Sequence, residues 1–163
     1  MLSQGENPTN STSSESKTEF SFELHEPQAQ GWDALGNSTI REIAMCAGIQ
    51  SGKTSFGSLA IMRKVKELQA IHGACNFLIT ADTYKTLHQA TIPTVMKLFR
   101  KLGKYNDKHG EIKLKKGGTI FCRTSTDPWS AEGIPDCAFA WMDEAGKCSR
   151  LFQINVLGRV ARL

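Results

Sequence analysis

Residues 40–70 read IREIAMC-AGIQSGKT-SFGSLAIMRKVKELQA, and the fold turns on how this stretch is parsed. Residues 40–46 are compact and apolar enough to predict a buried strand. Residues 47–54 form a loop with glycines at 48 and 52. Residues 55–70 place Leu59, Ile61, Met62, Val65 and Leu68 at helical spacing. Strand, glycine loop and helix, in that order, are what a phosphate-cradling loop requires. Gly52 lets backbone approach an anion without a side chain in the way. The amides of Gly48, Ile49, Gln50, Ser51 and Gly52, with those of Lys53, Thr54 and Ser55 at the helix start, predict an anion nest. Lys53 is placed to reach β- and γ-phosphates and the Thr54 hydroxyl to ligate Mg²⁺, which implies ATP as the nucleotide. Ala47 stands where the usual pattern has its first glycine. It is harmless if φ there is negative and costs about 1 kcal/mol if φ is positive.

Working outward, residues 75–80 (CNFLIT) predict a second buried strand, and residues 84–102 a helix that Pro93 kinks or divides. Residues 111–114 and 119–123 flank Lys115-Lys116-Gly117-Gly118 and predict a β-hairpin. Residues 125–136 read as a polar loop. Residues 137–142 (CAFAWM) are a third apolar run, ending in Asp143-Glu144, and residues 150–163 predict a closing helix. Strands alternating with helices predict an α/β fold, a three-layer sandwich with a mostly parallel sheet. Residues 1–18 are nearly all polar and small, which predicts a disordered arm ahead of one domain over 19–163.

The acidic pair complements the loop. A carboxylate at the C-terminal end of a central strand sits beside the phosphate loop in this architecture. Asp143 is expected to hold Mg²⁺ and Glu144 to polarise an attacking water as general base. Ahead of the loop, Gln28 or Gln30 is placed to read an adenine edge, with the spacing favouring neither. Arg159 and Arg123 are candidates to sense a γ-phosphate, against the commoner role of structural ion pairs.

Composition narrows the remainder. Of 163 residues 40% are apolar and 22% charged, which is ordinary globular usage. No apolar run reaches bilayer-spanning length and no export signal opens the chain. The five cysteines show no C-x-x-C pairing, so reduced, buried thiols are expected. Eight Lys/Arg fall in residues 97–116 against Asp107 and Glu111. That run can track a polyanion, but a solvated face is the simpler expectation. The four histidines suggest no site, and Trp129 and Trp141 read as core residues.

In their order, HEPQAQGWDAL (25–35), AGIQSGKTS (47–55), TADTYKTLHQATIPTVMKLF (80–99) and STDPWSAEGIPDCAFAWMDEA (125–145) resemble the N-terminal ATPase domain of the bacteriophage terminase large subunit. INVLGRVARL (154–163) resembles the helix after that family's acidic pair. The resemblance implies a RecA-like ASCE P-loop ATPase that drives double-stranded DNA into a procapsid in the host cytoplasm. It implies a homo-oligomeric ring on a portal protein and a small terminase subunit as partner. It also implies a C-terminal nuclease domain, so the chain reads as truncated. Many members carry an arginine in the phosphate loop, where Ile49-Gln50 stand here. Another P-loop DNA-dependent ATPase of helicase type, or an inactive nucleotide-binding fragment, are the alternative expectations.

Overall fold

The computed structural model describes residues 23–48 and 50–160. The expected arm, Ile49 and the last three residues lie outside them. Helix α1 (Glu26–Gly36) leads through an irregular segment and the glycine loop into α2 (Lys53–His72), and β1 (Asn76–Ala81) follows. A continuous helical stretch then runs as α3 (Tyr84–Thr86), a π-helical turn (Leu87–Thr91) and α4 (Ile92–Phe99). Strands β2 (Gly103–Asn106), β3 (Glu111–Leu114) and β4 (Thr119–Thr124) come next, then β5 (Cys137–Met142), a 3₁₀ turn (Ala145–Lys147) and α5 (Arg150–Arg159).

The five strands form one sheet in the order β2-β3-β4-β1-β5. β1 pairs in parallel with β4 on one side and β5 on the other, while β2, β3 and β4 make antiparallel ladders. The predicted hairpin is therefore present, and the sheet is mixed. β2, which the sequence pattern did not single out, extends it by one strand.

β1 shows why the fold has three layers. Phe77, Ile79 and Ala81 face α2 and α4, in a core with Ile61, Val65, Val95 and Phe99. Leu78 faces the other way, into a core with Ile134, Phe152 and Val156 of α5. Burying each such side chain contributes roughly 1.5–3 kcal/mol. The sheet is thus covered on both faces, as a continuous apolar strand demands. Residues 125–136, expected as a plain polar loop, drive Ala131 and Ile134 into the second core.

Three expectations need correction. Residues 40–46 form no strand. They include Arg41 and Glu42, Ile40 is 42% exposed and Ile43 37%, and no ladder partner adjoins them. Among the described residues, the outer edge of β5 carries only an isolated parallel bridge from Cys137 to Val160. A backbone with no neighbour to bond has no reason to extend as a strand. Second, Trp129 is 54% exposed and not a core residue. Third, Cys46 is exposed, although Cys75, Cys122, Cys137 and Cys148 are free and buried as expected.

The helical stretch is divided at a π turn, close to Pro93. The proline falls in the first turn of α4, directly after the π turn, whose closing bond runs from the Ile92 amide to the Leu87 carbonyl. A wide turn accommodates the missing amide of a proline with little strain.

A candidate nucleotide site at the head of α2

The glycine loop ends where α2 begins. Gly52 has φ +79° and caps the helix, and Lys53 is its first residue. A Cβ at position 52 would lie 2.8 Å from the Gln28 side-chain nitrogen, but it is the left-handed conformation that calls for glycine. Gln50 also has positive φ, at 61°, whereas Ala47 does not, so alanine sits there without strain. The first amides of α2 have no partner within the helix and face the loop, leaving the positive end of a 20-residue helix beside it.

The parallel pairing of β1 with β5 brings the acidic pair to the same place. Thr80 is in register with Met142, and the Asp143 amide donates to the Thr80 carbonyl at 2.8 Å. The Thr54 hydroxyl lies 3.2 Å from both carboxylate oxygens of Asp143. Two residues 89 apart in sequence are thereby in direct contact. Asp143 is only 4% exposed. Burial pushes its carboxyl above the usual carboxylate range, and hydrogen bonds from Thr91 and Thr54 pull the other way.

Glu144 follows in a left-handed conformation, φ 51° and ψ 39°. A non-glycine residue pays about 1 kcal/mol or more there. The Glu144 carboxylate pairs with Lys147 at 3.1 Å. That hydrogen bond and charge raise the Lys147 ammonium above its ordinary value, with Asp82 and Asp143 adding to the effect. A cleft of about 760 Å³ is lined by Ala47, Gly48 and residues 50–55 on one side and by Glu144 and Lys147 on the other. On the loop side, the Lys53 ammonium donates to the carbonyls of Ala47 and Gly48 at 2.8 and 2.7 Å.

Beside this cleft is a smaller hollow of about 320 Å³, lined by Leu24, His25, Gln28, Ser51, Phe56 and Leu59, among others. Gln28 is buried; its amide nitrogen donates to the Gly52 carbonyl at 3.4 Å, and its oxygen accepts from the His25 amide at 3.1 Å. Gln30 is exposed and lines neither space. Arg159 lies on α5, its guanidinium 4.0 Å from Glu132, outside the cleft lining. Arg123 is committed to structure, donating to the carbonyls of Ser130, His109, Gly110 and Cys122. The eight basic residues of 97–116 are exposed around β2 and β3, at the edge of the sheet opposite β5.

The donor set suits a hard divalent cation with a polyphosphate. A carboxylate and a hydroxyl already adjoin, and an amide nest and an ammonium stand opposite. Two neighbours were not singled out from sequence. Lys147 enters because a 3₁₀ turn folds it back on Glu144. Thr91 enters because a π turn aims it at Asp143, and its hydroxyl donates to that carboxylate at 2.8 Å. Spacing alone signals neither.

The fold is similar to that of solved large terminases. The large terminase of the thermophilic bacteriophage D6E, in complex with ADP, matches with a TM-score of 0.61 at 16% identity, over 83% of this chain and 36% of that one. A second crystal form of the same protein gives 0.58 at 19% identity, over 70% of this chain and 29% of that one. The large terminase ATPase domain of Thermus phage P74-26 gives 0.56 at 17% identity, over 85% of this chain and 62% of that one. The chain therefore spans about a third of the D6E chain and under two thirds of the P74-26 domain. No protein-family model matches the chain, and no curated protein matches it. At these identities the likeness is one of fold: the chain has the α/β, P-loop RecA-like fold of phage large terminase ATPase domains. Among the described residues no helix is long and apolar enough to cross a membrane.

Proposed function

We propose that this chain is the ATPase motor domain of a phage DNA-packaging terminase, binding ATP with Mg²⁺ and hydrolysing it to move double-stranded DNA into a procapsid. The observation that carries the chemical part is the Thr54–Asp143 contact. It joins a loop-and-helix anion nest to a buried strand-end carboxylate, with Glu144 next to it in a strained turn. Lys53 and the amides of residues 48–55 hold the β- and γ-phosphates. Thr54 and Asp143 supply oxygens to the metal. Bound Mg²⁺ offsets the charge of those phosphates and orients them. Glu144 accepts a proton from the attacking water. Gln28, not Gln30, is the adenine reader, because it lines the hollow beside the loop.

The motor part rests on the sequence segments that resemble large terminases together with the shared fold. It implies a homo-oligomeric ring on a portal protein, a small terminase subunit as partner and work in the host cytoplasm. That the D6E large terminase was solved in complex with ADP supports nucleotide binding by this chain.

Titration with a fluorescent ATP analogue in Mg²⁺ tests the site. The parent chain should saturate, and Lys53→Ala should bind at least about 100-fold more weakly, the scale expected when a charged phosphate contact worth about 3 kcal/mol is removed. Equal binding by the two chains would rule the site out. Stimulation of turnover by double-stranded DNA tests the motor.

A further inference from the structure

We propose that Thr91 is a positioning residue for this site: its hydroxyl holds the Asp143 carboxylate in the orientation that a metal ion needs, and the π-helical turn is what delivers it. The inference rests on reading the cleft as a nucleotide–metal site.

The carboxylate has two side-chain donors. The Thr54 hydroxyl has one proton to share between two oxygens at an equal 3.2 Å, which is long for a bond from a hydroxyl. The Thr91 hydroxyl reaches Oδ2 at 2.8 Å, the shorter contact, with a backbone alternative at Thr86 only at 3.4 Å. Thr91 is fully buried, so water does not compete for its proton. With the backbone hydrogen bond from Glu144 and the longer contacts from Thr54, the Thr91 bond limits rotation of the carboxylate about its own axis, and among its side-chain donors it is the shortest. Outer partners of this kind orient ligating carboxylates in metal sites generally.

Backbone geometry explains how Thr91 gets there. Leu87, Thr91, Val95 and Phe99 are all buried, at a spacing of four. An α-helix has 3.6 residues per turn, so positions four apart drift round its surface. A π turn is wider and absorbs the excess, keeping Leu87 and Thr91 on one face. Thr91 ends that turn, just before Pro93, where the α pattern resumes. Turns of this type cost stability and concentrate where a side chain must be re-aimed.

The test uses the whole chain, a fluorescent ADP analogue, and Mg²⁺ titrated from zero. Thr91→Val keeps the shape and removes the donor; Thr91→Ser keeps the donor. In EDTA all three chains should bind the analogue alike. Thr91→Val should need at least about 10-fold more Mg²⁺ to reach the tighter, metal-supported affinity. Thr91→Ser should stay within about threefold of the parent. If Thr91→Val melts below the assay temperature, Thr91→Ala carries the same test without overfilling the core. An unchanged Mg²⁺ requirement in the valine or alanine variant overturns the proposal, as does equal weakening by serine and valine. A parent chain that binds no nucleotide with or without Mg²⁺ overturns the site reading itself, and this proposal falls with it.

Discussion

The cleft has Lys53 on one side and, on the other, Glu144 with the buried Asp143 directly before it, and the two sides are built differently. The Asp143 side is the end of a strand in ladder with β1, buried, with a backbone bond to Thr80 and side-chain bonds to Thr54 and Thr91. The Lys53 side is the start of α2, reached through an exposed segment, residues 40–48, with no strand pairing and little burial. Its ammonium is satisfied by the carbonyls of its own loop. The carboxylate side is therefore set before any ligand arrives. On the loop side, the proposed function has Lys53 exchange those carbonyls for phosphate oxygens. Preorganisation lowers the ordering cost of binding, so the acidic side supplies the fixed reference and the loop adapts to it.

The largest effect expected from this asymmetry is on turnover. Glu144→Gln should retain nucleotide binding and lose about 10²- to 10⁴-fold in hydrolysis rate, the usual contribution of a general base. Binding and single-turnover rates measured on the same preparation check both halves of that statement. If hydrolysis persists at the parent rate, Glu144 is not the base.

A smaller effect probes the seat that joins the two sides. Gly57 of α2 lies against the Trp141 indole of β5 so closely that a Cβ there would be 2.0 Å from the ring. Gly57→Ala gains about 1 kcal/mol in helix propensity but forces overpacking that typically costs 1–3 kcal/mol. At 2.0 Å the ring must shift by more than an atomic radius, so the cost should win. The melting temperature should fall by about 2–6 °C. A rise in melting temperature by circular dichroism would show that α2 can slide on β5, and that the two sides are not held by this contact.

The smallest effect is chemical access. Cys46, just before the loop, should react with a thiol reagent in the native state well before the other four cysteines. Burial protects those four, and it also pushes the Cys122 thiol up to about 12 and the Cys137 thiol to about 11, leaving little thiolate at neutral pH. Mass spectrometry of a brief labelling pulse reads this directly. Equal labelling of Cys46 and Cys122 would mean the two regions do not differ in packing.

How much of this was legible in advance differs by element. α2, β1, β5 and the hairpin follow from periodicity, because an apolar stripe or a continuous apolar run has few ways to be buried. Residues 40–46 misled for a related reason. Their apolar positions match a strand, but a strand also needs a neighbour, and the order β2-β3-β4-β1-β5 sets none beside them. Trp129 and Cys46 misled because residue type reports an average burial and not a local one.

The sequence by itself determined the chemistry on offer: a glycine at 52, an ammonium at 53, a hydroxyl at 54 and two carboxylates at 143 and 144. These are covalent facts, and the turn geometry of Gly52 follows from them. Only the tertiary structure decided which groups meet. The Thr54–Asp143 contact depends on parallel register between β1 and β5, Thr91 on the pitch of one helical turn, Lys147 on a 3₁₀ fold-back, and the burial of Gln28 with Gln30 left exposed on which face of α1 packs toward α2. Contacts of that kind depend on where separate elements dock, and docking is set by packing across the whole core, which no local pattern of residues encodes.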